Sequence, residues 1–165
     1  MKNNLTEKDI KTINKWAEKY GIKELKINDE KNFNLKQLCI FNTNIKYIPA
    51  AIFKLTNLKS LSIYCNNLNI LPKEIGDLIN LKELYIYCEN LKSLPNEIER
   101  LTNLEFIRIE CENLKQLPKE ICDLINLKKL YIYCENLKSL PNEIERLTNL
   151  ESIHIESEHL KQLPK

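Results

Sequence analysis

Glycine is almost absent from this chain: Gly21 and Gly76 are the only two among 165 residues. That excludes a glycine-rich loop that cradles phosphate, which needs several unhindered backbone positions close together. Histidine is as scarce, and His154 and His159 both fall near the end of the sequence. The serines have no histidine or aspartate arranged around them, so no nucleophile–base–orienter set can be assembled. A charge excess is missing too: 25 basic residues face 23 acidic ones, a formal net charge of +2. Nucleic acid or a membrane surface would call for a one-sided field, and neither partner is expected. No apolar run reaches membrane-spanning length, and the opening MKNNLTEKDIKTINKW lacks the apolar core of a signal peptide. The expectation is an unprocessed cytoplasmic protein.

What the chain does have is one phrase said repeatedly. Leu35, Leu58, Leu81, Leu104, Leu127 and Leu150 open successive 23-residue copies, of which LKELYIYCENLKSLPNEIERLTN (81–103) is typical. Apolar residues recur at positions 1, 4, 6, 11, 14, 18 and 21 of the phrase, and position 15 is proline each time, from Pro49 to Pro164. A fixed period of this length marks a stack of supersecondary units rather than a domain built around one pocket.

Each unit reads as a coil. Positions 3 to 7, as in Glu83-Leu84-Tyr85-Ile86-Tyr87, alternate polar or amphipathic with aliphatic residues, the signature of a strand with one face buried. The proline then forbids a central strand and suits the turn that leaves it. In the following xEIxxL, apolar residues three apart fit one turn of α or 3-10 helix. Position 23 is asparagine in all five complete copies, from Asn57 to Asn149, and reads as an amide column satisfying backbone groups.

The six cysteines do not read as a disulfide framework. Cys65, Cys88, Cys111 and Cys134 hold position 8 of four consecutive copies, while Cys39 and Cys122 sit elsewhere without mates. One thiol per rung gives no tetrahedron for zinc, and cysteine recurring at one place behaves as a small buried hydrophobe. His154, Glu156 and Glu158 lie close in sequence, but such a trio is ordinarily a polar strand face. No metal and no cofactor are expected.

The consensus LxxLxIxxxxLxxLPxEIxxLxN resembles the leucine-rich repeat family in its bacterial-like, 23-residue LP form, over residues 35–165. The resemblance implies an α/β fold: a right-handed solenoid with a parallel sheet on its concave face and short helical or 3-10 turns on its convex face. It implies a binding scaffold rather than an enzyme. One departure stands out. The family places an inward asparagine at position 9, whereas this chain has Thr43, Asn66, Glu89, Glu112, Glu135 and Glu158 there. Stacked glutamates cannot be buried unpaired, so the turn is expected to turn cysteine inward and glutamate to solvent.

The domain plan is a cap helix over 1–21, a truncated starter repeat over 22–34 and six repeats over 35–165, the last incomplete. Thr6-Glu7-Lys8-Asp9 resembles a capping box, Ile10, Ile13, Trp16, Ala17 and Tyr20 form the apolar stripe, and Gly21 closes the helix. Ile22 to Ile27, IKELKI, repeats half of the phrase. At the other end Leu160 and Leu163 occupy positions covered by a next coil in earlier repeats, and self-association through this edge, as a homodimer, is expected.

The informative surface is the concave one. Its expected binding residues are Phe41, Tyr64, Tyr85, Tyr87, Phe106, Arg108, Glu110, Tyr131, Tyr133, His154 and Glu156, from positions 3, 5 and 7. Tyrosine and arginine are favoured at interfaces because they join large apolar area to a polar handle. The glutamates of position 9 line one rim, which favours a partner with basic character. Residues 84–105 and 130–151 are identical, so the working unit is a pair of repeats and suits an extended or repetitive protein or peptide partner.

Overall fold

A computed structural model of the chain describes residues 5–25 and 34–161. Six parallel strands, β1 (Gln37–Phe41), β2 (Ser60–Tyr64), β3 (Glu83–Tyr87), β4 (Phe106–Glu110), β5 (Lys129–Tyr133) and β6 (Ser152–Glu156), form one open sheet in chain order. Every strand pairs with the same repeat position of its neighbour, as in Ser62↔Tyr85, Tyr85↔Arg108 and Arg108↔Tyr131. That common register follows from the undisturbed period: a slip of one residue would turn every buried leucine to solvent.

On the convex side each proline among the described residues starts a single 3-10 turn of five residues, such as Asn96–Arg100 after Pro95. The N–H of Ile98 donates to the Pro95 carbonyl at 3.2 Å and that of Leu101 to the Ile98 carbonyl at 3.0 Å. Five residues are too few for α-helical bonding to repay its nucleus, so the tighter turn suffices. Between sheet and turns runs one continuous core. Leu81, Leu84, Ile86, Leu91, Leu94, Ile98 and Leu101 are all buried, as are their counterparts in neighbouring coils. Among the described residues no polar or charged side chain is buried.

The re-registered turn is present. Cys65, Cys88, Cys111 and Cys134 are buried, and Glu89, Glu112, Glu135 and Glu158 are exposed. Three of the thiols lie under a carbonyl of the preceding coil: Cys65 Sγ is 3.8 Å from Ile40 O, Cys88 Sγ 3.8 Å from Ile63 O and Cys134 Sγ 3.9 Å from Ile109 O. A thiol fills the space as a hydrophobe and is a weak donor. The stronger bonding has moved to amides. Asn80, Asn103, Asn126 and Asn149 donate to the carbonyls of Thr56, Ile79, Thr102 and Ile125 one coil back, at 2.7–2.9 Å. A second amide row at position 10 does likewise, Asn113 to Glu89 O at 3.1 Å and Asn136 to Glu112 O at 2.9 Å.

The N-terminal end is covered by α1 (Glu7–Tyr20). Thr6 and Asp9 cap it reciprocally: Thr6 N–H donates to Asp9 Oδ2 at 2.8 Å and Asp9 N–H to Thr6 Oγ1 at 3.2 Å. Gly21, at φ 72°, ends it in the left-handed region that glycine enters without strain. Ile13, Trp16 and Ala17 are buried on the first coil, with Ile10 and Tyr20 half-buried beside them. Trp16 is a cap residue, its Nε1–H donating to the Tyr47 carbonyl at 3.0 Å. Lys23–Leu25 form a 3-10 turn, in which Leu25 N–H donates to the Ile22 carbonyl at 3.2 Å and the Leu25 side chain is buried. Lys26 and Ile27 lie outside the described residues. Among those described, no helix is long and apolar enough to cross a membrane.

At the last described coil Leu160 is half-buried against the core, while Ile153 is 47% exposed. Leu163 lies outside the described residues.

Candidate binding surface

Alternation along each strand puts positions 4 and 6 into the core and positions 3, 5 and 7 on the concave face. The expected residues all emerge there. Phe41 is 70% exposed, whereas Tyr64, Tyr85, Tyr87, Phe106, Tyr131 and Tyr133 are half-buried because they lean on one another.

They form two rows across the strands. In the outer row Phe41 and Tyr64 have centroids 5.9 Å apart, and Tyr64 stacks on Tyr87 at 4.3 Å. In the inner row Tyr85 meets Phe106 at 5.0 Å, Phe106 meets Tyr131 at 5.5 Å and Tyr131 meets His154 at 6.4 Å. The outer row has glutamate at β4, and Arg108 fills that gap from position 5. Its guanidinium lies 4.6 Å from the Tyr133 ring and 5.8 Å from that of Tyr87. Glu110 holds it from the side, accepting from Nε at 2.7 Å and pairing with Nη2. One coil pair later His154 takes the same position, 5.1 Å from the Tyr133 ring and 4.0 Å from Glu156.

The packing shows in the acidities. Burial, with Tyr64 alongside, pushes the Tyr87 phenol up to about 12. Burial and then Glu83 raise that of Tyr85. Glu110 raises the Arg108 guanidinium further. These phenols stay neutral donors at any physiological pH.

Beside the outer row an open groove of about 490 Å³ runs along the sheet, with Tyr87 and Tyr133 on one wall and Glu89, Glu112, Glu135 and Glu158 on the other. The opposite rim is different in kind. Position 2 carries Lys36, Lys59, Lys82, Glu105, Lys128 and Glu151 in order. Lys82 and Lys128 both reach Glu105, each at 2.8 Å, and their hydrogen bonds hold its carboxyl down to about 2. Sequence reasoning missed this rim, although lysine at position 2 in four of six copies was a visible signal. The near-zero net charge conceals a face with basic and acidic sides.

Cys65, Cys88 and Cys111 are poor nucleophiles. Burial pushes Cys65 up to about 12 and Cys88 to about 11, and the Cys134 thiol together with burial raises Cys111 further. These three carry little thiolate at neutral pH. Among the described residues no group of three or more His, Cys, Asp or Glu side chains is placed to hold a metal.

Stacked coils with strands on one side, turns on the other and an aromatic open face define a repeat solenoid, an architecture widely used for protein–protein interaction. The model of a leucine-rich repeat region matches residues 16–135 and 73–165, and the chain belongs to the leucine-rich repeat family. The proteins of that family are generally interaction modules rather than catalysts. No curated protein sequence matches the chain. Among solved structures it is similar to a Leptospira interrogans leucine-rich repeat protein, 28% identical over 78% of this chain and 45% of that one, with a TM-score of 0.45. It is similar to the ectodomain of the Arabidopsis thaliana receptor kinase GASSHO1/SCHENGEN3 in complex with CASPARIAN STRIP INTEGRITY FACTOR 2. There the identity is 20%, the TM-score 0.53, and the match covers 67% of this chain and 14% of that one. The plant peptide hormone receptor RGFR1 in complex with RGF2 is 23% identical, with a TM-score of 0.53 over 77% of this chain and 25% of that one. The chain spans less than half the length of each of these three proteins.

Proposed function

We propose that this chain is a non-catalytic recognition scaffold that binds a protein or peptide partner on its concave face. The observation that carries this is the pair of aromatic rows. Their edges are open to solvent while the sheet fixes their bases, so binding needs little further ordering of side chains. Rigid rings of this kind are the usual anchors of an interface. The similar fold of two plant receptors in complex with their partners supports the same use. No cofactor, nucleic acid or membrane has a part in this reading. Six unpaired cysteines favour a reducing compartment, and the cytoplasm is the proposed location.

The test is affinity capture from the native cell with wild type and with Tyr85, Tyr87, Tyr131 and Tyr133 changed together to serine. The variant is expected to keep its circular dichroism and lose its partner. Normal capture by a folded variant would overturn the concave-face reading.

A second reading is self-association through the edge at Leu160 and Leu163, favoured by the 47% exposure of Ile153 in the last described strand. Lysine at Leu160 and Leu163 would then convert a dimer to a monomer. Light scattering that finds the unmodified protein monomeric at high concentration rules this reading out.

A further inference from the structure

Among the described residues Arg108 is the cation stacked on these tyrosine rings, and the way it is held shows what the neighbouring groove accepts. Its guanidinium lies between the faces of Tyr87 and Tyr133, with the Glu110 carboxylate at its edge. Ring faces and a carboxylate together suit a planar, weakly hydrated cation. The same two tyrosines also wall the groove, whose far side is Glu89, Glu112 and Glu135. Six glutamates and no basic residue line that groove. Among the described residues no lysine, arginine or histidine pairs with Glu89, Glu112 or Glu135, although Lys92, Lys115 and Lys138 follow three positions on. A row of carboxylates beside exposed ring edges is thus left without a counter-charge.

Resting on the concave-face reading, we propose that this groove binds an extended basic segment of the protein partner, with arginine side chains held between tyrosine and glutamate as Arg108 is. The geometry also sets a spacing. Parallel strands lie ~4.8 Å apart, so alternate coils are roughly 9.6 Å apart. Three residues of a polyproline II segment advance about 9.3 Å. A segment that crosses the strands with a basic residue at every third position therefore presents one cation to each repeat pair. That is the period at which Tyr87 recurs as Tyr133 and Glu89 as Glu135.

The experiment uses fluorescence anisotropy with the full chain and three synthetic peptides: arginine at every third position, the same arginines clustered, and glutamine in place of arginine. The spaced peptide is expected to bind more tightly than the other two, and less tightly as salt is raised. Glu89→Gln, Glu112→Gln and Glu135→Gln together should weaken it by about tenfold, as the loss of three exposed ion pairs implies. These side chains are exposed, so the fold is unaffected. Arg108→Gln frees the tyrosine gap and Glu110, and should strengthen binding about threefold. Arg100→Gln removes the same charge from the convex side, where Arg100 meets Asp77, and should leave binding unchanged.

Equal binding of the spaced and glutamine peptides, or indifference to the glutamate changes, overturns the proposal. So does a clustered peptide that binds as tightly as the spaced one. If the serine variant loses its cellular partner while the arginine peptide fails to bind, this inference falls and the concave-face reading stands. If that variant keeps its partner but the peptide binds through the glutamates, the reverse holds.

Discussion

Lys54, in the first convex turn, donates to the Asp9 carboxylate of α1 at 2.8 Å, tying the cap helix to the stack across 45 residues of chain. Asp9 thus does two things, completing the capping box and docking the helix. The Lys54 ammonium and the Thr6 N–H and hydroxyl together hold its carboxyl down to about 2, from 3.8. A depressed carboxyl contributes stability above its unfolded value and loses it as pH falls through the folded one. Asp9→Ala should therefore lower stability by about 1 kcal/mol near neutrality. In urea titrations the gap between wild type and variant should close as pH falls from about 4 towards 2. A gap that is constant over that range would show that the carboxylate charge plays no part.

Thiol labelling should separate Cys39 from the other five. Cys39 is exposed on β1, while Cys65, Cys88, Cys111, Cys122 and Cys134 are buried. A thiol reagent should modify about one equivalent quickly in the native state and the remainder only in denaturant. Rapid native labelling of Cys88, Cys111 and Cys134 would contradict their inward placement.

The amide row is expected to contribute in proportion to its length. Asn103 donates to the Ile79 carbonyl at 2.7 Å and Asn126 to that of Thr102 at 2.8 Å. Each is exposed, so water replaces part of what is lost on truncation. Asn103→Ala or Asn126→Ala should cost about 0.5–1 kcal/mol, read from the urea midpoint at unchanged slope. The two should add to within roughly 0.5 kcal/mol unless the row is cooperative.

Gly76 lies in a convex turn, packed against the turn of the next coil. A methyl group there would fall against the Glu97 carbonyl, with the Glu97 Cβ at 3.1 Å and the Arg100 Cδ at 3.2 Å. The nearest obstacle is backbone and cannot swing aside. Gly76→Ala should destabilise by about 1–3 kcal/mol through overpacking, despite its better helix propensity. An unchanged melting temperature would mean that the coils separate there at little cost.

The stack was legible because its determinants are local and repeated. Leu81 to Asn103 states the strand, the turn and the buried positions, and Cys88 is assigned inward by its recurrence alone. Glu89 follows, since four carboxylates cannot be buried in line. What escaped depends on contacts between coils. The Tyr87–Arg108–Tyr133 sandwich joins positions 7, 5 and 7 of three strands, which no single phrase displays. Lys82–Glu105–Lys128 runs down position 2 and vanishes in a sum of charges. The concave residues were found because a strand has two faces and only one can be core.

Identity between residues 84–105 and 130–151, combined with a sheet in which each strand touches only its neighbours in one register, makes the chain divisible without a scar. Excising 106–151 would join Glu105 to Ser152, and the residues before that seam would be the same as those before the native Glu151–Ser152 bond. No new junction is written, and the reverse operation inserts a pair of coils as quietly. Genetic slippage can thus lengthen or shorten the aromatic face by whole pairs, changing how much of a partner is grasped while every interface inside the stack stays as it was.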